Sequence, residues 1–84
     1  KWFTLSAEQG DASAQLNLGY SYATGQGVLK NEVYAYMWWN IVASNENERA
    51  KSNRDKLTEK MTSSQIEKAQ NLARVCVAKD YKGC

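Results

Sequence analysis

The stretch Ala14-Gln15-Leu16-Asn17-Leu18-Gly19-Tyr20-Ser21-Tyr22-Ala23-Thr24-Gly25-Gln26-Gly27-Val28 decides how this chain folds. Ala14, Leu18 and Tyr22 recur at i, i+4 and i+8, which aligns them as one stripe of an α-helix spanning about Ala12 to Ala23. Gly19 falls inside that helix, where glycine costs about 1 kcal/mol relative to alanine. Close approach of a neighbouring helix, which a Cβ would block, gives the glycine a reason, and Trp38 is expected as the layer above it. Gly25 and Gly27 then end the helix. Their loop lacks the preceding strand and the trailing Lys-Ser/Thr of a phosphate loop, so it reads as a turn that needs positive φ.

Working outward, Gly10-Asp11 is a break, with Gly10 capping an earlier helix that ends at about Glu8 and Asp11 capping the next one. On the other side, Asn31 caps a helix running to about Ser44. Tyr34, Ala35, Met37, Trp38, Trp39, Ile41, Val42 and Ala43 cover most of its circumference, and Tyr36, Asn40 and Ser44 form a more polar stripe. A helix this apolar must be covered on more than one side. Trp38 reads as core, whereas Trp39, beside the polar stripe, is expected to be partly exposed. Asn45 to Glu48 is a polar connector, and Arg49 to Lys60 is a polar helix with Ala50, Leu57 and Met61 as sparse apolar positions. Ser64 and Glu67 match a capping box, and the last helix runs to about Lys79. Its apolar stripe is Ile66, Ala69, Leu72, Ala73, Cys76 and Val77. No stretch sustains period-two alternation, so no sheet is expected.

The composition narrows the function. Of 84 residues, 43% are hydrophobic and 24% charged, the balance of one small globular domain. A net charge of +2 without a basic run argues against a nucleic-acid surface. With no histidine, a Ser-His-Asp arrangement is impossible and the commonest metal ligand is missing. Two thiols alone cannot complete a tetrahedral site, so neither metal nor cofactor is expected. No apolar run approaches the roughly 20 residues that cross a bilayer. Lys1-Trp2-Phe3 reads as the middle of a helix without a signal-peptide layout, which suggests a mature or excised piece of something longer.

An internal period is also legible. Trp2 and Trp38 are offset by 38 − 2 = 36, and the pairs Ala14/Ala50 and Asn17/Asn53 share that offset. A repeat of this length built only from helices is a helix-turn-helix unit.

With its period and glycines, the chain resembles the Sel-1-like repeat family, relatives of the tetratricopeptide repeat. The family pattern is roughly A-x-x-x-L-G-x-x-Y-x-x-G-x-G-V followed by A-x-x-W-x-x-x-A-A-x-x-G. Ala14, Leu18, Gly19, Tyr22, Gly25, Gly27 and Val28 fill the first part, and Ala35, Trp38 and Ala43 the second. Val42 stands where alanine is usual and Glu46 where glycine is usual. From Arg49 the match decays, with Arg54 and Asp55 in the places of Leu and Gly, and the remainder looks like the C-terminal ending of bacterial members. The resemblance implies an all-α, helix-pair solenoid, a tetratricopeptide-like superhelix of about five helices. Its parts would be the end of a preceding repeat over 1–10, one complete repeat over 11–46, and a degenerate repeat with a capping helix over 47–84.

The resemblance also implies a role. First helices of such repeats line a concave groove, so Ser13, Leu16, Asn17 and Tyr20 would face a partner protein or peptide, with Asn53 and Lys56 one helix pair later. An alternative is a structural cap of a longer array whose binding surface lies upstream; self-association through the N-terminal repeat end is then expected. Some relatives bind or hydrolyse β-lactams, but the S-x-x-K motif of that chemistry is absent; Ser64 to Glu67 is the nearest spacing. The expectation is therefore a binding module and not an enzyme.

Cys76 and Cys84 leave two readings. Either they are reduced, with Cys76 in the core, or they form a disulfide folding the tail onto the last helix. Two cysteines near one end favour the bridge, which implies a periplasmic or secreted setting; a reduced pair fits the cytoplasm.

Overall fold

The computed structural model describes residues 7, 9–45, 47–82 and 84. Four helices follow in order: α1 (Ala12–Thr24), α2 (Glu32–Ala43), α3 (Glu48–Thr58) and α4 (Ser63–Ala78). No strand occurs among the described residues. Ala7 is helical and fully buried. The rest of the helix expected before Gly10, with Trp2 and Phe3, lies outside the described residues, as does Glu46.

Local chemistry sets the helix boundaries. The side chains of Asp11 and Asn31 accept hydrogen bonds from the Ala14 and Tyr34 amides, both at 3.1 Å, satisfying amides that the first helical turn leaves without partners. Gly25 ends α1 at φ 78°, and its amide donates to the Ser21 carbonyl at 2.7 Å. Asn47 caps α3 through a 2.9 Å bond from the Ala50 amide, so that helix begins at Glu48, inside the expected connector. The capping box of α4 is formed by Thr62 and Gln65, not by Ser64 and Glu67. Thr62 Oγ1 accepts from the Gln65 amide at 3.1 Å, and Gln65 Oε1 accepts from the Thr62 amide at 2.9 Å.

All three substantial helix pairings include α2, which packs against α1, α3 and α4. Its all-round apolar character is thereby accounted for. Trp39, Tyr36, Val42 and Ala43 join Leu16 of α1, Ala50 and Leu57 of α3, and Met61 and Ala69 in one cluster. Met37, Trp38 and Ile41 join Ala7, Ala14, Leu18, Ala73 and Cys76 in the other.

Several sequence expectations are corrected here. Trp39 is only 4% exposed, because its indole lies on Gly19 and its Nε1 donates to the Leu16 carbonyl at 3.1 Å. Gly19 therefore makes room for Trp39 and not, as expected, for Trp38, which faces the other cluster. Tyr36, on the more polar stripe, is buried as well; its hydroxyl accepts from Gln70 Nε2 at 3.4 Å. Val77 is about half exposed, one position off the buried line of Ala69, Ala73 and Cys76. Trp38 is fully buried as expected, and its Nε1 finds no acceptor among the described residues.

The Cα atoms of Cys76 and Cys84 are 5.8 Å apart, with their sulfurs at disulfide distance. The bridge brings the tail back onto the core. Tyr81, in the left-handed region at φ 67°, comes so near Gly10 that a Cβ there would lie 3.7 Å from the ring.

Candidate functional site

The face shared by α1 and α3 carries most of the residues singled out from the sequence. Ser13 and Asn17 are exposed on α1, and Lys56 is exposed on α3. Tyr20, 39% exposed, meets Trp39 in a T-shaped pair, with centroids 5.4 Å apart at 77°. Its hydroxyl accepts a hydrogen bond from Asn53 Nδ2 at 2.8 Å. That bond ties α1 to α3. Leu16 departs from the expectation: it is 9% exposed and belongs to the core cluster beneath this surface, where it supports Tyr36 and Trp39.

Beside Tyr20 a cleft of about 260 Å³ opens between the end of α1, the loop into α2, and α3. Trp39 and Leu57 contribute to its apolar wall, Asn53 and Lys56 line it from α3, and Lys60 lines it from the turn just after α3. Asn53, Lys56 and Leu57 stand at i, i+3 and i+4, the spacing of one helical face, and Lys60 follows in the turn after the helix ends at Thr58. Lys30 and Glu32 complete the opposite rim. The sequence reading found Asn53 and Lys56 but missed Lys30, Lys60 and Trp39. The helix expected over Arg49 to Lys60 held a signal for Lys60, although α3 stops at Thr58; Lys30 arrives only through the loop fold. Asn31 donates its amide to the Tyr22 carbonyl at 2.9 Å, and Gly25 in its left-handed conformation lets Lys30 pack close, a Cβ there meeting the Lys30 Cβ at 3.4 Å.

The charge of the cleft is uneven, with three ammonium groups against the single carboxylate of Glu32. The ion pairs among the described residues lie elsewhere, Lys51 with Glu48 and Arg54 with Asp55. Near the loop, burial and then the neighbouring Tyr34 hydroxyl push the Tyr22 hydroxyl above the ordinary tyrosine value of 10.0. The two rings meet edge to face at 5.3 Å. Among the described residues, no group of three His, Cys, Asp or Glu side chains is placed to hold a metal ion. No described helix is long and apolar enough to cross a membrane.

The comparisons with known proteins agree with this architecture. The Sel1 repeat model matches residues 1–11 and 12–47, more than half of the chain. Over 50 residues the sequence is 40% identical to the chitin synthase regulator SKT5 of Saccharomyces cerevisiae. That alignment covers 60% of this chain and only 7% of the yeast protein. With its helix pairs, its buried glycine–tryptophan contact and these matches, the chain belongs to the Sel1 repeat family, whose repeats mediate protein–protein interaction.

Proposed function

We propose that this chain is a protein-interaction module whose partner docks along α1 and α3, touching Ser13, Asn17, Tyr20, Asn53 and Lys56. The observation that carries this reading is the 2.8 Å bond between Asn53 and Tyr20, which joins α1 to α3 while leaving an aromatic ring accessible beside an open cleft. Tyrosine and asparagine suit such a surface, because they offer contact area and hydrogen bonds at low entropic cost. Leu16 acts from below, by fixing the shape of the surface.

A second, compatible reading concerns residues 47–84 as a degenerate repeat with a capping helix. It is supported by α4, which lies on α2 and carries the bridged tail across to Gly10. The cysteine pair at disulfide distance also supports an oxidising compartment, the periplasm or the cell exterior.

A photo-crosslinking amino acid placed at Asn17, at Lys56 or, as a control, at Glu67 on α4 tests the docking face. Partners captured from the source cells should crosslink through Asn17 and Lys56 and lose affinity with Tyr20→Ala at unchanged thermal stability. Crosslinks confined to Glu67 would reject the α1/α3 face.

A further inference from the structure

We propose that the cleft beside Trp39 receives an extended, acidic segment of a partner protein, with Lys30, Lys56 and Lys60 meeting its carboxylates. This rests on the interaction reading above and adds the chemistry of the partner. Charge complementarity is the main argument. Three ammonium groups and one carboxylate line one small cleft, and none of the three lysines is engaged in an ion pair among the described residues. Lys56, on α3, and Lys60, in the turn that follows α3, line the cleft together with Lys30 from the loop before α2. Lys30 is held there by the Asn31–Tyr22 backbone bond and by the close approach at Gly25.

The cleft walls describe the rest of the ligand. The partly exposed Ala23, with the small edges of Trp39 and Leu57 that burial leaves accessible, forms a shallow apolar floor, which suits a small apolar side chain flanked by acidic ones. The Tyr20 hydroxyl already accepts from Asn53, so its own proton remains to donate to a peptide carbonyl or carboxylate. A volume of about 260 Å³ falls below the range of roughly 300–1,000 Å³ usual for small-molecule sites and suits one or two side chains. A single-stranded nucleic acid fits less well. It requires aromatic faces on which bases stack, whereas Trp39 is 4% exposed with Tyr20 against it, and the chain carries a net charge of only +2.

The test is a selection from a random peptide library displayed on phage, run on the full chain and on its Lys30→Gln/Lys56→Gln/Lys60→Gln variant. Far-UV circular dichroism verifies that the variant keeps its helices. The wild type should enrich peptides carrying Asp or Glu on both sides of an apolar residue. Synthetic copies of these should bind more weakly as salt rises. Each single Lys→Gln change should weaken them by about two- to five-fold, the range of an exposed ion pair. Enriched peptides without acidic bias, or acidic peptides bound equally by the triple variant, would overturn the inference and leave the interaction reading standing. Oligothymidine competing through the same lysines would overturn it in favour of nucleic acid. A folded wild type that enriches no peptide at all would remove the interaction reading itself.

Discussion

The indole of Trp39 lies directly on Gly19: a Cβ at position 19 would stand 2.3 Å from Nε1 and 2.5 Å from Cδ1. This contact brings α1 and α2 together, and in turn it sets Trp39 as a wall of the cleft. Gly19→Ala gains about 1 kcal/mol of helix propensity but drives a methyl group into a rigid ring. Because that ring is also hydrogen-bonded to Leu16, it cannot swing aside, and overpacking wins. We expect Gly19→Ala to lower stability by about 2 kcal/mol in urea unfolding. A variant as stable as the wild type would show that α1 and α2 can separate without penalty.

The two neighbouring tryptophans should respond differently to Trp→Phe. Trp39→Phe removes both buried area and the 3.1 Å bond to the Leu16 carbonyl. Trp38→Phe removes area but also deletes a buried donor that has no acceptor among the described residues. Trp39→Phe should therefore destabilise the chain by about 1 kcal/mol more than Trp38→Phe, as read from urea midpoints. The reverse order would contradict the assignment of the two indoles.

Gln15 is 2% exposed and donates from Nε2 to the Ala7 carbonyl at 3.0 Å, tying α1 to the preceding helical turn. Gln15→Met keeps an unbranched side chain of comparable length while leaving that carbonyl without its side-chain donor. Because that carbonyl keeps the Gly10 amide as a donor, the expected loss is that of one hydrogen bond, about 1 kcal/mol by thermal or urea unfolding. Faster amide hydrogen exchange at Gly10, whose amide donates to the same carbonyl, should accompany it.

The Cys76–Cys84 bridge closes a short loop, eight residues in sequence separation. Chain-entropy reasoning gives such a crosslink about 2.5 kcal/mol. Reductant should lower the Tm accordingly. By mass spectrometry, the unreduced chain, unfolded in denaturant, should take up no alkylating reagent. Uptake by both thiols without reductant would rule the bridge out.

The Tyr22 hydroxyl is pushed above 10.0 by burial and by Tyr34, so the folded state holds its proton more tightly than the unfolded state. That stabilisation is fully present below the unfolded value and is lost as pH rises through the folded one. Urea midpoints should fall as pH climbs past 10.0. In Tyr22→Phe this fall should be shallower; an unchanged slope would assign the alkaline loss to other groups.

How much of this was legible in advance varied with the kind of signal. Asp11, Asn31 and Gly25 were readable because caps depend on a few adjacent residues, and the structure uses all three as such. Thr62-Ser63-Ser64-Gln65-Ile66-Glu67 contains two overlapping capping boxes, and local pattern alone does not choose between them. Both Met61 and Ala69 are buried in the same cluster, which fixes where α4 starts. The need for space at Gly19 was also legible, but its occupant was not. On a helix apolar all round, adjacent tryptophans point to different neighbours, and only tertiary contacts decide which meets α1. Of the site, Asn53 and Lys56 followed from the repeat register. The basic character of the cleft did not, because Lys30 approaches it through a turn.

The central position of α2 has a consequence for synthesis on the ribosome. In an open array each unit finds its cover from the unit just made, so folding can advance in step with translation. Here α2 takes part of its cover from α4, and the α4-facing side of Trp38, Met37 and Ile41 stays wet until that helix emerges. The nascent chain therefore carries an unshielded greasy strip from the emergence of α2 to that of α4, an interval in which it depends on holding factors or on speed to avoid sticking to its neighbours.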